Sequence, residues 1–298
     1  MTPCSLTLRA GAAVAVTSLL LGACGGGGDD TATPAPAEVP TSLTGLAADS
    51  AATQALNDAL TGLRVGNTGT FDAVYTYADQ RFDYTGVYRL SPAEQRLTFT
   101  ADLGEAGDGE PVESETVSDA GEFFVRLPAD GDISSRCWVT GEPARVTETV
   151  GLEFNPGFEK LPGVVVLAST AVGIAEDPQV RDGLLGSVDL TTATALISPR
   201  LPTLLGLTGQ ERVLARLTLD DGVLRDLRVE GPALLAALQE AGVQADPAEL
   251  ERVFAAEAPI EITFDNPGSK VVIETPAPTD VVDLDAADAA EQLSACTP

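Results

Sequence analysis

The sequence predicts an α+β fold in which helices cover the apolar face of an antiparallel sheet. Two patterns carry this prediction. Apolar and polar residues alternate through several consecutive segments from Phe71 onward, which is typical of half-buried strands. Other segments place apolar residues three or four positions apart, as in an amphipathic helix. An antiparallel sheet with one apolar face must bury that face, and these helices are the available cover.

The first half of the domain reads as one helix followed by a strand meander. Asp49 or Ser50 can cap a helix, which Gly66, Asn67 and Gly69 end. Its apolar stripe contains Ala52, Ala55, Leu56, Ala59, Leu60 and Leu63. The predicted strands are 71–77, 82–90, 96–101, 112–117 and 122–127, with another around Cys137, Trp138 and Val139.

The second half mixes helices and hairpins. The apolar run 161–175 is too short to cross a membrane and predicts a buried helix over the sheet. A strand at 183–190 and a short helix at 191–197 follow. Two strands pair across Asp220-Asp221-Gly222, and helices start at Pro232 and at Asp246-Pro247. We expect a final hairpin, with Ile260, Ile262 and Phe264 before the Asn266-Pro267-Gly268 turn and Val271 and Ile273 after it.

The N-terminal residues resemble a bacterial lipoprotein signal. Arg9 precedes an apolar run, and Leu21-Gly22-Ala23-Cys24 resembles a lipobox followed by four glycines. This resemblance implies that 1–23 is a signal peptide and that Cys24 carries acyl chains such as palmitate. Residues 24–41 can bury almost nothing, so we expect a flexible tether and a single domain at 42–298. The alternative is an ordinary secretory signal with an incidental cysteine.

Composition excludes several classes of function. The formal net charge is −28, so no basic face is available for nucleic acid, and anionic lipid headgroups repel the protein. Histidine is absent, which removes Ser-His-Asp, Cys-His and His-zinc chemistry. Lys160 and Lys270 lie outside any S-x-x-K motif. The Asp130-Gly131-Asp132 and Asp220-Asp221 clusters indicate turns and not calcium loops. We therefore expect no enzymatic activity, cofactor or metal site.

The cysteines predict a disulfide. Cys4 leaves with the signal peptide and Cys24 is acylated, which leaves Cys137 and Cys296 in an oxidising compartment. The simplest expectation is a bond between them, and the alternative is two free buried thiols.

Taken together, the arrangement resembles the LolA-like fold, in particular the actinobacterial lipid-binding lipoproteins of the LppX/LprG type. The resemblance rests on the lipobox at Cys24, the opening helix running into 71–77, the strand at 186–190, the Asp221-Gly222 hairpin and the closing segment 262–278. It implies an antiparallel half-barrel whose concave apolar face, roofed by helices, encloses acyl chains. The extra length at 141–182 and the acidic tail to Cys296 depart from the family pattern.

The resemblance also implies a function, site residues and partners. The residues expected to line a lipid cavity are Phe71, Tyr75, Tyr84, Tyr88, Leu97, Phe99, Phe123 and Val125, with Val164, Val166 and Leu167 as roof. The chain would bind a lipid or acylated glycolipid and carry it across the envelope from the outer face of the cytoplasmic membrane, with a lipid exporter as partner. The alternatives are a filled core and a structural or sensory envelope lipoprotein without cargo.

Overall fold

A computed structural model shows one large open sheet with helices packed on it. The structure describes residues 40–78, 80–102, 111–119, 121–127, 137–151, 162–254 and 256–296. Of Cys296 it describes the backbone only. The predicted signal peptide, Cys24, nearly all of the tether, Lys160 and the Asp130-Gly131-Asp132 turn lie outside these residues. No helix in the described part is long and apolar enough to cross a membrane.

Twelve strands and eight helices are present in the described residues. The strands are β1 (Thr68–Tyr77), β2 (Gln80–Leu90), β3 (Ala93–Asp102), β4 (Val112–Asp119), β5 (Glu122–Arg126), β6 (Trp138–Thr140), β7 (Val172–Glu176), β8 (Gly183–Asp189), β9 (Arg212–Asp220), β10 (Val223–Val229), β11 (Ile260–Asp265) and β12 (Val281–Asp283). The helices are α1 (Ser50–Gly66), α2 (Pro143–Val150), α3 (Gly163–Ser169), α4 (Leu190–Ile197), α5 (Leu201–Leu204), α6 (Gly231–Glu240), α7 (Pro247–Val253) and α8 (Ala289–Cys296).

The sheet joins two meanders into one layer. Its strand order is β12-β6-β5-β4-β3-β2-β1-β11-β10-β9-β8-β7, so β1 pairs with both β2 and β11. All pairings are antiparallel except that of β12 with β6. The predicted α+β class with a mostly antiparallel sheet is confirmed, and the open sheet is compatible with a half-barrel.

One apolar row crosses seven of the strands and defines what we call the inner face. Residues paired across antiparallel strands lie on the same face, and the register aligns Leu184, Leu217, Leu227, Ile262, Ala73, Tyr84 and Phe99. The main core lies on this face and receives the apolar stripe of α1. Helix α1 packs on β7 and β10, α6 on β9, and α4 on β1, β8 and β9.

Helix α1 matches its prediction closely. The Asp49 carboxylate accepts a hydrogen bond from the Ala51 backbone N–H at 2.8 Å, and the predicted apolar stripe is buried at five of its six positions. The backbone of α1 lies close to β7, where the Thr53 hydroxyl donates to the Gly173 carbonyl oxygen at 2.9 Å. A Cβ atom at Gly173 would lie 2.5 Å from the Ala52 carbonyl oxygen. Only glycine therefore fits at this position of β7.

We expect Gly173→Ala to destabilise the protein and Gly62→Ala to stabilise it. The first change forces α1 away from β7, which typically costs about 1–3 kcal/mol. The second adds a methyl at an exposed position of α1 with nothing within 4 Å, and replacing an interior helical glycine gains about 0.5–1 kcal/mol. Urea unfolding of both variants measures the difference. Equal stability of the two variants would contradict the close approach of α1 and β7.

Two predicted elements differ from the structure. The run 161–175 is not a single helix, because α3 ends at Ser169 and Val172 begins β7. The final hairpin is wrong in its second strand. Both edges of β11 are already occupied by β1 and β10, so the residues after the Asn266-Pro267-Gly268 turn have no free edge to pair with. Instead, Ile273 packs on the opposite, outer face of the sheet against Val117, Phe124 and Trp138.

A smaller core closes the other end of the inner face. Val125, Val139 and Val282 lie in one register row and pack with Val146 of α2 and with Leu284. Leu293 of α8 packs against the same cluster. Cys137, which precedes β6, is buried and disulfide-bonded. The partner of Cys137 is not among the described side chains. The side chain of Cys296 is also outside them, so the pairing of Cys137 with Cys296 stays a prediction.

We expect Cys137 and Cys296 to form this bond in the exported protein. Cys296 follows Leu293 by three residues in α8, and Leu293 packs on the cluster that contains Val139, two residues after Cys137. Closing so long a loop typically stabilises a protein by about 3–5 kcal/mol. Peptide mapping without reductant should recover the linked peptides. Two free thiols after denaturation would refute the pairing, and Cys4→Ala serves as the neutral control.

Candidate functional site

A cavity of about 310 Å³ lies on the inner face between β1–β5 and two helices. Pro162 and the first residues of α3 roof one side, and the end of α4 with the residues after it roofs the other. The floor is made by Phe71, Tyr75, Tyr77, Gln80, Phe82, Tyr84, Gln95, Leu97, Phe99, Thr116 and Phe123, and the roof by Pro162, Gly163, Val164, Ala195, Leu196, Ile197, Ser198 and Pro199. Several floor residues are only half-buried, so the cavity opens to solvent.

Period-two alternation brings the aromatic floor residues to one face. Tyr75 and Tyr84 have ring centroids 5.0 Å apart, and Tyr84 stacks on Phe99 at 5.5 Å. These three residues come from β1, β2 and β3, so the continuous aromatic surface exists only after the strands pair. Offset and tilted arrangements of this kind are favourable for aromatic rings.

Two glycines make room for the rings. Gly86 is paired with Phe71, and a Cβ at Gly86 would lie 2.6 Å from the Phe71 ring. Gly69 is paired with Tyr88 in the same way, with a Cβ 2.6 Å from the Tyr88 hydroxyl. The glycines thus allow each ring to lie flat across the neighbouring strand. A side chain at Gly86 would push Phe71 toward the cavity.

Polar contacts fix the two roof helices. The Asp189 carboxylate caps α4 by accepting bonds from the backbone N–H and the hydroxyl of Thr192, both at 2.6 Å. The Asp189 backbone N–H donates to the Thr170 hydroxyl at 3.0 Å, which ties the end of α3 to the start of α4. Arg212 donates from Nη2 to the carbonyl oxygens of Thr170 and Ser187 at 2.6 Å each. Hydrogen bonds therefore tie the roof helices to β8 and β9.

The described part of the lining carries no charge. None of the nineteen lining residues that the structure describes is Asp, Glu, Lys or Arg, although such residues make up 21% of the chain. Its polar members are neutral amides and hydroxyls, namely Gln80, Gln95, Thr116 and Ser198, together with the three tyrosines. An apolar pocket with a few neutral polar groups is the usual form of a small-molecule site. The volume of 310 Å³ is at the low end of such sites.

Burial raises the pKa values of three tyrosines in this region. Loss of hydration raises the pKa of Tyr84 and of Tyr88 to about 12. Burial, and to a smaller extent repulsion from an ionised Tyr84, raises the pKa of Tyr75 well above its usual value. The phenol groups of Tyr75 and Tyr84 on the cavity floor are thus neutral throughout the physiological range.

We expect the folded protein to form tyrosinate late in an alkaline titration. The four tyrosines of the chain are Tyr75, Tyr77, Tyr84 and Tyr88, and the unfolded chain should ionise them near pH 10. Since the folded pKa of Tyr84 is raised to about 12, its stabilising contribution is complete below about pH 10 and is lost as the pH rises through about 12. Tyrosinate absorbance of native and urea-unfolded protein checks this. In Tyr84→Phe the late step should shrink, and ionisation of every tyrosine near pH 10 in folded protein would contradict the burial.

The structure places seven of the eleven predicted site residues at the cavity. These are Phe71, Tyr75, Tyr84, Leu97, Phe99, Phe123 and Val164. The other four lie elsewhere. Tyr88 and Leu167 belong to the main core, Val125 to the smaller core, and Val166 is a half-buried residue of α3 away from the lining.

Sequence reasoning missed most of the roof. Tyr77 and Phe82 continue the alternation that located the floor, so the same signal could have found them. The end of α4, residues 195–199, carries no sequence signal for a cavity, because only the tertiary fold brings it over β1–β3.

None of the described lining residues is Asp, Glu, His, Cys, Lys or Arg. The described residues contain no cluster of three or more His, Cys, Asp or Glu side chains that could hold a metal. The arrangement can enclose an apolar group and exclude water from it. No protein family model matches this chain, and no curated protein matches it.

Proposed function

We propose that this chain is a lipid-anchored envelope protein that holds an acyl chain in the cavity over β1–β5. The observation that carries the proposal is the uncharged, largely aromatic and aliphatic lining in a protein with a net charge of −28. Such a lining has nothing to offer an ionic substrate and would dehydrate any charge that entered. An uncharged alkyl chain has no comparable desolvation cost when it enters the cavity.

The size of the cavity suggests the size of the cargo. The cavity of about 310 Å³ is at the low end of small-molecule sites, which suits a single acyl chain better than a whole lipid. Each buried methylene gains ~0.8 kcal/mol of transfer free energy. The loss of translational and conformational freedom consumes a large part of this gain. Binding should therefore be reversible, which suits a carrier that must release its lipid.

The resemblance to the LolA-like lipoproteins and the lipobox at Cys24 support the same proposal. Acyl chains on Cys24 would keep the protein at the outer face of the cytoplasmic membrane, where it could receive lipid from an exporter and pass it onward. No chemical step is needed for this role.

Organic extraction of the purified full chain tests the proposal. The anchor stays on the protein through its thioether bond, so any lipid released by solvent was held without a covalent bond. We expect about one acyl-bearing molecule per protein by mass spectrometry. A fluorescent acyl probe should bind the extracted protein and be displaced by the recovered lipid. Absence of both lipid and probe binding would refute the carrier function.

The second candidate is a structural or sensory envelope lipoprotein without cargo. It is favoured by the other half of the inner face, where Leu184, Leu217, Leu227 and Ile262 are at most 5% exposed and form a packed core. The extraction experiment separates the two, because a filled core releases no lipid.

A further inference from the structure

The segment between α4 and β9 forms an apolar projection beside the cavity. Pro199 lines the cavity, and α5 starts two residues later. Leu201 is buried, and Leu205 and Leu207 pack against the main core. Leu204, on the same short helix, is 76% exposed. The segment is therefore attached to the core through three leucines and holds the fourth in solvent.

Hydrogen bonds make this projection a defined structure. The Leu207 backbone N–H donates to the Pro202 carbonyl oxygen at 2.9 Å, which closes the loop after α5. The Glu211 carboxylate accepts bonds from the Thr208 hydroxyl at 2.7 Å and from the Gly209 backbone N–H at 2.9 Å. These contacts lower the pKa of Glu211 to about 2, with the Thr208 hydroxyl as the main cause. The carboxylate stays ionised and bonded at any pH of a cell envelope.

The projection and the roof carry few charges. Residues 161–175 contain no charged residue, and residues 190–211 contain only Arg200 and Glu211, whose charges are opposite. At the average frequency of 21%, these 37 residues would hold about eight charges. Anionic lipid repels the rest of this acidic chain. The neutral segment is where the protein can approach such a surface without that repulsion.

The projection is also close to the cavity. Leu204 follows Pro199 by five residues, which at the helical rise of 1.5 Å per residue corresponds to only about 7.5 Å. A bilayer in contact with Leu204 would thus lie next to the cavity opening. The tether of residues 24–41 has an r.m.s. reach of about 20–25 Å, so an anchored protein remains within contact distance of its own membrane.

We propose that residues 199–209 dock on the lipid bilayer, with Leu204 inserted at the headgroup boundary, so that a lipid tail can pass into the cavity. The docking surface stands on exposure and charge, whereas the transfer of a tail rests on the proposed function. One leucine contributes little binding energy, which agrees with its role: the anchor supplies affinity and Leu204 sets the orientation.

Quenching by brominated lipid tests the docking in the full acylated chain. The protein is reconstituted into anionic phospholipid vesicles that carry bromine on the acyl chains, and Leu204→Trp is compared with Val272→Trp. Val272 is also exposed, at 65%, but lies beside Ile273, which covers the outer face. Wild type gives the contribution of Trp138, the only native tryptophan. We expect several-fold stronger quenching for Leu204→Trp, and equal or weaker quenching than for Val272→Trp would overturn the docking.

A second pair of variants tests whether docking speeds the loading of lipid into the cavity. Leu204→Asp should slow uptake of a fluorescent lipid from anionic vesicles about tenfold, while Val272→Asp should leave the rate unchanged. Both should bind the same amount of lipid from detergent solution, because neither residue lines the cavity. An unchanged uptake rate for Leu204→Asp would overturn the link between docking and loading. If no variant binds lipid from detergent, the carrier function fails, and the quenching result still decides the docking.

Discussion

Ala195→Trp is expected to empty the cavity of lipid and to leave the fold intact. Ala195 lines the cavity from α4 and is half-buried, so an indole at this position would extend into open space. The helix-propensity cost of the change is about 0.5 kcal/mol. The side chain would occupy a large part of the 310 Å³. We expect lipid content and probe affinity to fall at least tenfold, with an unfolding midpoint close to that of wild type.

The control is Ala237→Trp. Ala237 is a buried alanine of α6 that belongs to the main core and does not line the cavity, so the same substitution there should overpack the structure and cost about 1–3 kcal/mol. It should leave the lipid content of the folded fraction unchanged. Mass spectrometry and urea unfolding on both variants give the comparison. An Ala195→Trp protein that is as unstable as Ala237→Trp would mean that the cavity is a filled core, and one that keeps its lipid would place the cargo elsewhere.

Cys24→Ala is expected to move the protein from the membrane fraction to the soluble fraction. The lipobox predicts that Cys24 is the sole attachment point for acyl chains. Two or three chains at ~0.8 kcal/mol per buried methylene hold a protein firmly, whereas a body with net charge −28 has no electrostatic attraction to lipid. Membrane fractionation with metabolic labelling by a fatty acid should show loss of both label and membrane association.

Cys4→Ala is the control for this change. Cys4 precedes the apolar run of the signal, so its loss should affect neither labelling nor fractionation. If the Cys24→Ala protein stays with the membrane and requires detergent, then another segment anchors it. If it is released but still labelled, then acylation occurs at a different cysteine.

The strand half of the fold could be predicted because its signal is local. Phe71, Tyr75 and Tyr77 alternate with polar residues, and an alternating segment of this length has one stable arrangement, with the apolar side chains on the buried face of a sheet. The N-cap at Asp49 and the turn at Asp221-Gly222 are equally local, and both are found as predicted.

Errors occurred where a choice depended on distant residues. Residues 161–175 are apolar throughout, and a short apolar run suits a buried helix and a buried strand equally well. Val172 joins the sheet because β7 pairs along the edge of β8. Val271 and Ile273 have the pattern of a strand, but β1 and β10 already flank β11. Competition for a strand edge is a property of the whole sheet, which no local pattern carries.

The sequence by itself determined the charge, the absence of histidine and the face on which the aromatic residues lie, and it predicts the lipobox at Cys24. Only the tertiary structure shows whether that face is a packed core or an open cavity. Alternation reports only which side chains point away from water, and a filled core and a cavity satisfy it equally. Hydrogen bonds of Asp189, Thr170 and Arg212 tie the roof helices over Phe99 to neighbouring strands, and those contacts join residues up to 42 positions apart.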